Sequence, residues 1–143
     1  MKLIIGSDHA GFELKSMLIN YLENQNHEVI DVGPPNNNRV DYPDYAHKLV
    51  NSILIKETEL GILICGSGNG ISMTANKHKN IRAALCWNSE IAALARNHND
   101  ANIVSLPARF VSFDEAKAII SSFLSSSFEG GRHLNRVNKI NCG

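Results

Sequence analysis

The sequence lacks the features that mark several large classes of protein. Its three cysteines, Cys65, Cys86 and Cys142, match no zinc-binding or disulfide spacing. Fourteen lysines and arginines balance fourteen aspartates and glutamates, so the basic excess typical of nucleic-acid-binding proteins is absent. No apolar run approaches the roughly 20 residues of a membrane span, and the apolar N-terminal stretch is too short for a signal peptide. We therefore expect a cytoplasmic protein with reduced thiols that binds neither nucleic acid nor a membrane.

The glycine-rich segment Cys65-Gly66-Ser67-Gly68-Asn69-Gly70-Ile71 lacks the marks of the common nucleotide-binding loops. Ile71 occupies the third-glycine position of the dinucleotide motif G-x-G-x-x-G, and the Gly-Lys-Ser/Thr of a P-loop is missing. NAD and ATP are therefore disfavoured as cofactors, and we expect none.

Short apolar runs alternate with segments of helical period along the 143 residues, which predicts one α/β domain over 1–143. Continuous apolar character in the runs indicates parallel strands covered on both faces, hence a Rossmann-like, doubly wound sheet. Of the two common doubly wound strand orders, 2-1-3-4-5 suits five strands. Residues 128–143 should form an irregular or short helical tail. The predicted strands are Lys2–Ser7, Glu28–Val32, Leu60–Cys65, Ile81–Cys86 and Asn102–Leu106.

Five helices are predicted between and after these strands. One follows Gly11, one begins near Pro43, and one follows the glycine-rich segment. The fourth covers Ser89–Asn97, and the fifth begins at a capping box formed by Ser112 and Glu115.

This strand order places strands one and three side by side, so a ligand is expected at their carboxyl ends. Asp8 and His9 follow strand one and form a plausible acid–base pair, although Asp8 could instead cap the helix near Gly11. Cys65 ends strand three. It could be a small buried hydrophobe, or a thiolate favoured by the helix that follows, acting as base or nucleophile.

The alternating glycines of the loop after Cys65 favour an anion cradle. They let the backbone approach an anion closely, and the following helix offers free N–H groups. The competing interpretation is a tight strand-to-helix turn.

Three further groups have weaker individual signals. His98 follows helix four, at the amino edge of the sheet, so it either interacts with the helix dipole or acts in the site of another subunit. Arg132 and Arg136 are four residues apart, which suits a phosphate or simply a solvated basic face. Arg109, just after strand five, carries the same two interpretations.

Several motifs occur in an order that resembles a known family. The motifs are Asp8-His9-Ala10-Gly11, Asp41-Tyr42-Pro43, Ile64 through Ile71, Ala75-Asn76-Lys77, Ile81-Arg82-Ala83, His98-Asn99-Asp100-Ala101-Asn102 and Glu129-Gly130-Gly131-Arg132-His133. In this order they resemble the type B ribose-5-phosphate isomerases, relatives of the galactose-6-phosphate isomerase subunits, and the similarity runs from Lys2 to about Ile140.

The resemblance implies interconversion of ribose 5-phosphate and ribulose 5-phosphate through an enediolate, without a metal, in the non-oxidative pentose phosphate pathway. One branch of the family uses a cysteine as base and the other a glutamate. Here Cys65 is present and Ile71 stands at the glutamate position, so the chain resembles the cysteine branch. Ser67 stands where that branch often has threonine. Family members are dimers, sometimes tetramers, with shared sites, which agrees with His98 acting on a second copy and with a tail that contacts it.

The residues and the resemblance together assign the expected roles. Cys65 moves the proton between the two carbons, Asp8 and His98 open the sugar ring, and Ser67 assists. Backbone and side chains of the glycine-rich loop hold the enediolate, and basic residues hold the phosphate. The expected substrate-binding residues are His9, Tyr42, Gly66, Gly68, Asn69, Gly70, Asn99, Arg109, Arg132 and Arg136.

Two alternatives remain open at this point. A six-carbon sugar phosphate, such as galactose or allose 6-phosphate, would keep the chemistry and change the substrate. A non-catalytic sensor of a phosphorylated ligand would use the same fold without needing Cys65 or His98.

Overall fold

A computed structural model describes residues 1–141; Cys142 lies outside the described residues. Strands and helices alternate through the first five pairs, and a short helix follows in the tail. The strands are β1 (Lys2–Ser7), β2 (Glu28–Asp31), β3 (Leu60–Cys65), β4 (Ala83–Leu85) and β5 (Ile103–Pro107). The helices are α1 (Phe12–Asn24), α2 (Tyr42–Leu54), α3 (Asn69–Ala75), α4 (Ser89–Asn99), α5 (Phe113–Ser125) and α6 (Arg132–Asn138).

All strand pairings are parallel, which confirms the doubly wound α/β class. The predicted order of the last two strands is wrong, because the sheet runs β2-β1-β3-β5-β4. The reason is burial: β5 is buried along its whole length and needs a partner on each side, whereas β4 is three residues long and half-buried. A short, half-buried strand suits an edge. The hydrophobic periodicity of the sequence does not indicate which of these two strands lies at the edge of the sheet.

The helices cover both faces of the sheet, as predicted. On one face α1, α4 and α5 bury the side chains of Leu3, Ile5 and Ile64. On the other face α2 and α3 bury Ile4 and Leu63. Successive strand residues thus enter opposite cores, which explains why the strands are apolar throughout. No helix of the described chain is long and apolar enough to span a bilayer.

Local signals account for most helix boundaries. Proline occupies the first turn of α2, and Ser112 and Glu115 form the predicted capping box of α5. The tail forms α6, preceded by Gly130 and Gly131, both with positive φ. This confirms the expectation of a short helical segment there.

A buried lysine ties α1 to the loop after β2. The Lys15 side chain is 1% exposed, and its Nζ donates to both carboxylate oxygens of Asp31 at 2.8 and 2.9 Å and to the Pro34 carbonyl at 2.8 Å. The Gly33 carbonyl in turn accepts a hydrogen bond of 3.1 Å from Ser7 N–H, at the end of β1. The lysine therefore stabilises the segment that flanks the carboxyl end of β1.

Candidate active site

The loops after β1 and β3 meet, as the sequence predicts. Ser7 pairs with Ile64 at the ends of these neighbouring strands, and Asp8 N–H donates to the Ile64 carbonyl at 3.1 Å. Gly11 lies so close to Ile64 that a Cβ at this position would come within 2.7 Å of its side chain. The two loops therefore form one surface at the carboxyl edge of the sheet.

The side chains of Asp8 and His9 are both held in place by hydrogen bonds to backbone atoms. Asp8 is 7% exposed, and its Oδ1 accepts a hydrogen bond of 3.0 Å from Gly11 N–H; this bond closes the turn before α1, whose N-cap residue is Gly11 rather than Asp8. Nδ1 of His9 lies 3.2 Å from the carbonyl oxygen and 3.3 Å from the amide nitrogen of Val40. This contact orients the ring and leaves Nε2 as the nitrogen available to a ligand.

Cys65 lies at the bottom of the glycine-rich loop. It is buried, and its sulfur accepts a hydrogen bond of 3.1 Å from the backbone N–H of Gly68. Gly68 has a φ of +75° and immediately precedes α3, so the donor belongs to the start of that helix. A backbone donor and a helix N-terminus both stabilise negative charge on sulfur.

The loop offers fewer free backbone donors than the sequence predicts. Gly68 N–H is taken by Cys65, and Asn69 N–H donates to the Ser67 hydroxyl at 3.3 Å. The expected oxyanion donors are thereby reduced to the N–H groups of Gly66, Ser67 and Gly70. Ser67 and Asn69 are themselves exposed at the rim of the loop.

Two predicted binding residues explain the absence of side chains at two of the glycines. The guanidinium of Arg109 lies against Gly66, where a Cβ would stand 3.1 Å from it. The Tyr42 ring lies against Gly70, where a Cβ would stand 2.7 Å from the phenol oxygen. Arg109 reaches this place because β5 is adjacent to β3, and its N–H donates to the Gly66 carbonyl at 3.0 Å. The corrected strand order thus brings Arg109 to the loop.

The remaining predicted residues lie elsewhere in the chain. His98 and Asn99 end α4, at the amino edge of the sheet. Cys65 pairs with Pro107 at the far end of β5, and four strand steps separate this pair from Ile103, about 13 Å along the sheet. His98 therefore belongs to a different surface from Cys65, as its position in the sequence indicates.

Arg132 and Arg136 lie on the same side of the molecule as His98, away from Cys65. Both are exposed on α6, one helical turn apart. The ring of His133, between them, stacks on that of His98 with 4.2 Å between centroids and 11° between planes. The two arginines and His98 thus form one surface of the chain.

Sequence reasoning assigned no site role to Glu129 or His133. Nε2 of His133 lies 3.6 Å and Nε2 of His98 lies 3.9 Å from Oε2 of Glu129. Burial, then the positive charges of His98 and Arg132, lower the pKa of His133 below its usual value. The four-residue spacing between Glu129 and His133 was the available signal, but their contact with His98 depends on the tertiary fold.

One cavity of about 480 Å³ lies away from the glycine-rich loop. Its lining includes Lys77, Lys79, Arg82 and Asn99, from the turns that precede β4 and β5. Cys65 is not part of its wall. This cavity, which is partly open to solvent, therefore lies at the opposite edge of the sheet from the Cys65 loop.

Comparison with known proteins gives consistent matches over almost the whole chain. A sequence model described as ribose/galactose isomerase matches residues 3–140. The probable ribose-5-phosphate isomerase B of Mycoplasma pneumoniae is 51% identical over 139 residues, covering 96% of this chain and 91% of that protein.

Two solved structures are similar in fold over almost the whole chain. A ribose 5-phosphate isomerase from Thermotoga maritima superposes with a TM-score of 0.96 at 51% identity, covering 97% of this chain and 96% of the other. Ribose-5-phosphate isomerase B from Mycoplasma genitalium, with bound ribulose-5-phosphate, superposes with a TM-score of 0.92 at 42% identity, covering 97% and 93%. The chain belongs to the ribose/galactose isomerase family.

Proposed function

We propose that this protein is an aldose–ketose isomerase that interconverts ribose 5-phosphate and ribulose 5-phosphate. The observation that carries this proposal is the buried Cys65 sulfur, with a backbone donor 3.1 Å away, beside Asp8 and a loop with further free donors. The relatives described above are named ribose-5-phosphate isomerases, and one contains ribulose-5-phosphate. These names favour the five-carbon substrate over a hexose phosphate or a sensor role.

Cys65 acts as the base in this mechanism. As thiolate it removes the proton from C2 of the open-chain aldose, which leaves an enediolate, and then returns a proton to C1 to give the ketose. Backbone N–H groups of Gly66, Ser67 and Gly70 stabilise the developing oxyanion, and each such donor is typically worth about 2.7–4 kcal/mol. The Ser67 hydroxyl and the Asn69 side chain, both exposed on the loop, bind the substrate hydroxyls.

Ring opening needs proton transfer at the ring oxygens, and we assign it to Asp8 and His98. Asp8 lies beside the Cys65 loop, but His98 lies at the other edge of the same chain, about 13 Å or more along β5. His98 and Asn99 therefore act in the site of a second copy. The proposed active unit is a homodimer with two sites, each built from both chains.

The phosphate is held by groups from both copies. His9, Tyr42 and Arg109 lie around the loops of the chain that supplies Cys65. Arg132 and Arg136 lie on α6 beside His98, so they enter with it from the second copy. Binding the distant phosphate positions the reacting carbons against Cys65.

The remaining expectations are part of the same proposal. Cys65 and Cys86 are free thiols, which suits the reducing cytoplasm. The reaction belongs to the non-oxidative pentose phosphate pathway and needs no cofactor. Residues 1–143 act as one isomerase domain, whose tail carries α6 to the second copy.

Turnover by the purified protein tests the proposal. We expect conversion of ribose 5-phosphate, with exchange of the C2 proton into solvent, and a much lower kcat/KM for allose and galactose 6-phosphate. A higher kcat/KM for either hexose phosphate would show that a six-carbon sugar phosphate, and not ribose 5-phosphate, is the substrate. Complete absence of proton exchange with every sugar phosphate, despite ligand binding, would establish the sensor role instead.

A further inference from the structure

Three potential metal ligands converge where α4 meets the segment that leads into α6. His98, Glu129 and His133 each contribute one nitrogen or oxygen atom, and these atoms lie within 4.8 Å of one another. The backbone brings them together, because Glu129 N–H donates to the Asn97 carbonyl in α4 at 3.0 Å. The arrangement is a product of tertiary structure, since α4 and α6 are far apart in the chain.

The distances suit a small cation. Zinc binds imidazole nitrogen and carboxylate oxygen at about 2.0–2.2 Å, so tetrahedral ligand atoms stand about 3.4 Å apart. Oε2 of Glu129 lies 3.6 Å from Nε2 of His133 and 3.9 Å from Nε2 of His98. These two distances exceed the tetrahedral value by about half an ångström or less, and all three ligand atoms lie within 4.8 Å of one another.

Binding also requires the stacked rings to separate. A shared cation must lie near the plane of each imidazole. The two rings are stacked instead, with 11° between their planes and 4.2 Å between their centroids. The His98 side chain is 36% exposed and that of Glu129 is 55% exposed, so both have room to turn, whereas His133 is nearly buried. His133 thus provides a fixed ligand, and the other two close around the ion.

The chemistry of the ligands selects the class of metal. Two imidazoles and one carboxylate favour zinc and its neighbours, nickel and copper, whereas magnesium and calcium prefer oxygen ligands. Arg132 and Arg136 repel a cation nearby, which weakens binding and leaves the site reversible.

We infer that His98, Glu129 and His133 form a binding site for one divalent cation of the zinc class. Occupancy inhibits the enzyme, because the cation takes the Nε2 lone pair with which His98 exchanges protons during ring opening. The second statement rests on the proposed function, and the first does not.

A binding titration tests the site without using activity. The full-length protein, stripped with EDTA, competes for zinc with a chromophoric chelator. We expect one zinc bound per chain, about tenfold or more weaker binding for Glu129→Gln and for His133→Asn, and no competition by magnesium. Equal binding by wild type and Glu129→Gln, or no binding at millimolar zinc, would overturn the site.

Two control variants exclude other zinc ligands. Cys65→Ala removes the thiol of the glycine-rich loop. His47→Asn breaks a separate histidine pair, in which Nδ1 of His47 lies 2.7 Å from Nε2 of His78. Both controls should bind zinc as the wild type does. Loss of the single zinc in either would assign it to that other residue and disprove the proposed cluster.

Activity measurements then test inhibition separately. Saturating zinc should slow ribose 5-phosphate turnover about tenfold or more, with recovery on adding EDTA, and Glu129→Gln should need about tenfold more zinc for the same effect. Zinc bound at the cluster with unchanged turnover would disprove inhibition alone. Absence of turnover in the metal-free protein would disprove the proposed function, while the titration would still decide the site.

Discussion

The sulfur of Cys65 accepts a hydrogen bond of 3.1 Å from the backbone N–H of Gly68, a residue with a φ of +75°. A Cβ at Gly68 would also collide with Cδ1 of Leu85. The donor is therefore aimed at the sulfur by a conformation and a close contact that suit only glycine.

Replacing Gly68 with Ala should reduce both stability and kcat. Left-handed strain costs about 1–2 kcal/mol, and the collision with Leu85 adds about 1–3 kcal/mol. Urea unfolding and steady-state kinetics measure the two effects. Gly130→Ala is the matched control, because Gly130 has a φ of +66° but a Cβ added there would meet no atom within 4 Å. An equal loss of stability in both variants would show that the contact with Leu85 is unimportant.

Replacing Cys65 with Ala should lower kcat by about 10²–10⁴-fold and leave the fold intact, because the proposed general base is lost. Cys86→Ala is the control. Burial raises the pKa of Cys86 to about 12, so this thiol stays protonated and inert near neutral pH. Near-normal turnover by Cys65→Ala would remove the thiol from the mechanism.

Mixing two inactive variants should restore activity if each site is shared. Cys65→Ala and His98→Asn are each expected to be almost inactive alone. After unfolding and refolding together in equal amounts, half of the dimers are mixed, and one of their two sites has both residues, giving about a quarter of wild-type activity. The assay is ribose 5-phosphate turnover of the mixture against each variant refolded alone. No gain on mixing would mean that His98 does not act across a dimer.

Replacing Lys15 with Met should destabilise the protein by about 1–3 kcal/mol, because the Pro34 carbonyl loses its Lys15 donor and the Asp31 carboxylate keeps only the bond from Gly33 N–H. Lys117→Met removes a surface ion pair with Asp114 instead, and it should cost less than about 1 kcal/mol. Chemical unfolding of both variants gives the comparison. Equal losses would contradict the importance assigned to the buried lysine.

Stability should fall with acidification partly because of His78. Burial and the neighbouring His47 lower the pKa of His78 below its ordinary value of 6.5. The unfolded chain therefore binds a proton more readily, and the free energy of unfolding decreases as pH falls below about 6.5. His47→Asn removes the like charge, so unfolding measured between pH 7.5 and 5 should show a shallower decline than wild type. An identical decline in both proteins would show that the His47–His78 pair does not contribute to the loss of stability at low pH.

The sequence predicts the fold well where the signal is local. The strand Leu60–Cys65 and the capping box at Ser112 are confirmed, since apolar runs and capping residues act over a few positions. The order of β4 and β5 was wrong, because it depends on which strand is buried by its neighbours. A predicted six-residue strand at Ile81–Cys86 shortens to three residues for the same reason, being an edge.

The site shows the same division between local and tertiary information. The Cys65 loop and its neighbour Asp8 could be located from strand ends alone. The placement of Arg109 against Gly66 depended on the strand order, and that of His133 against His98 depended on how α6 folds onto α4. Periodicity cannot report such contacts, because they join residues that are distant in the chain.

The sheet order has a consequence for how the protein opens transiently. β1 and β3, which carry Asp8 and Cys65, are interior strands with partners on both sides, whereas α4 follows the three-residue edge strand β4. Backbone amides of interior strands exchange with solvent slowly, and those of short edge strands exchange faster. We therefore expect slow amide exchange in β1 and β3, next to Asp8 and Cys65, and faster exchange in β4. Each complete site would join a slowly exchanging strand end of one copy to the helix that follows the faster-exchanging edge strand of the other.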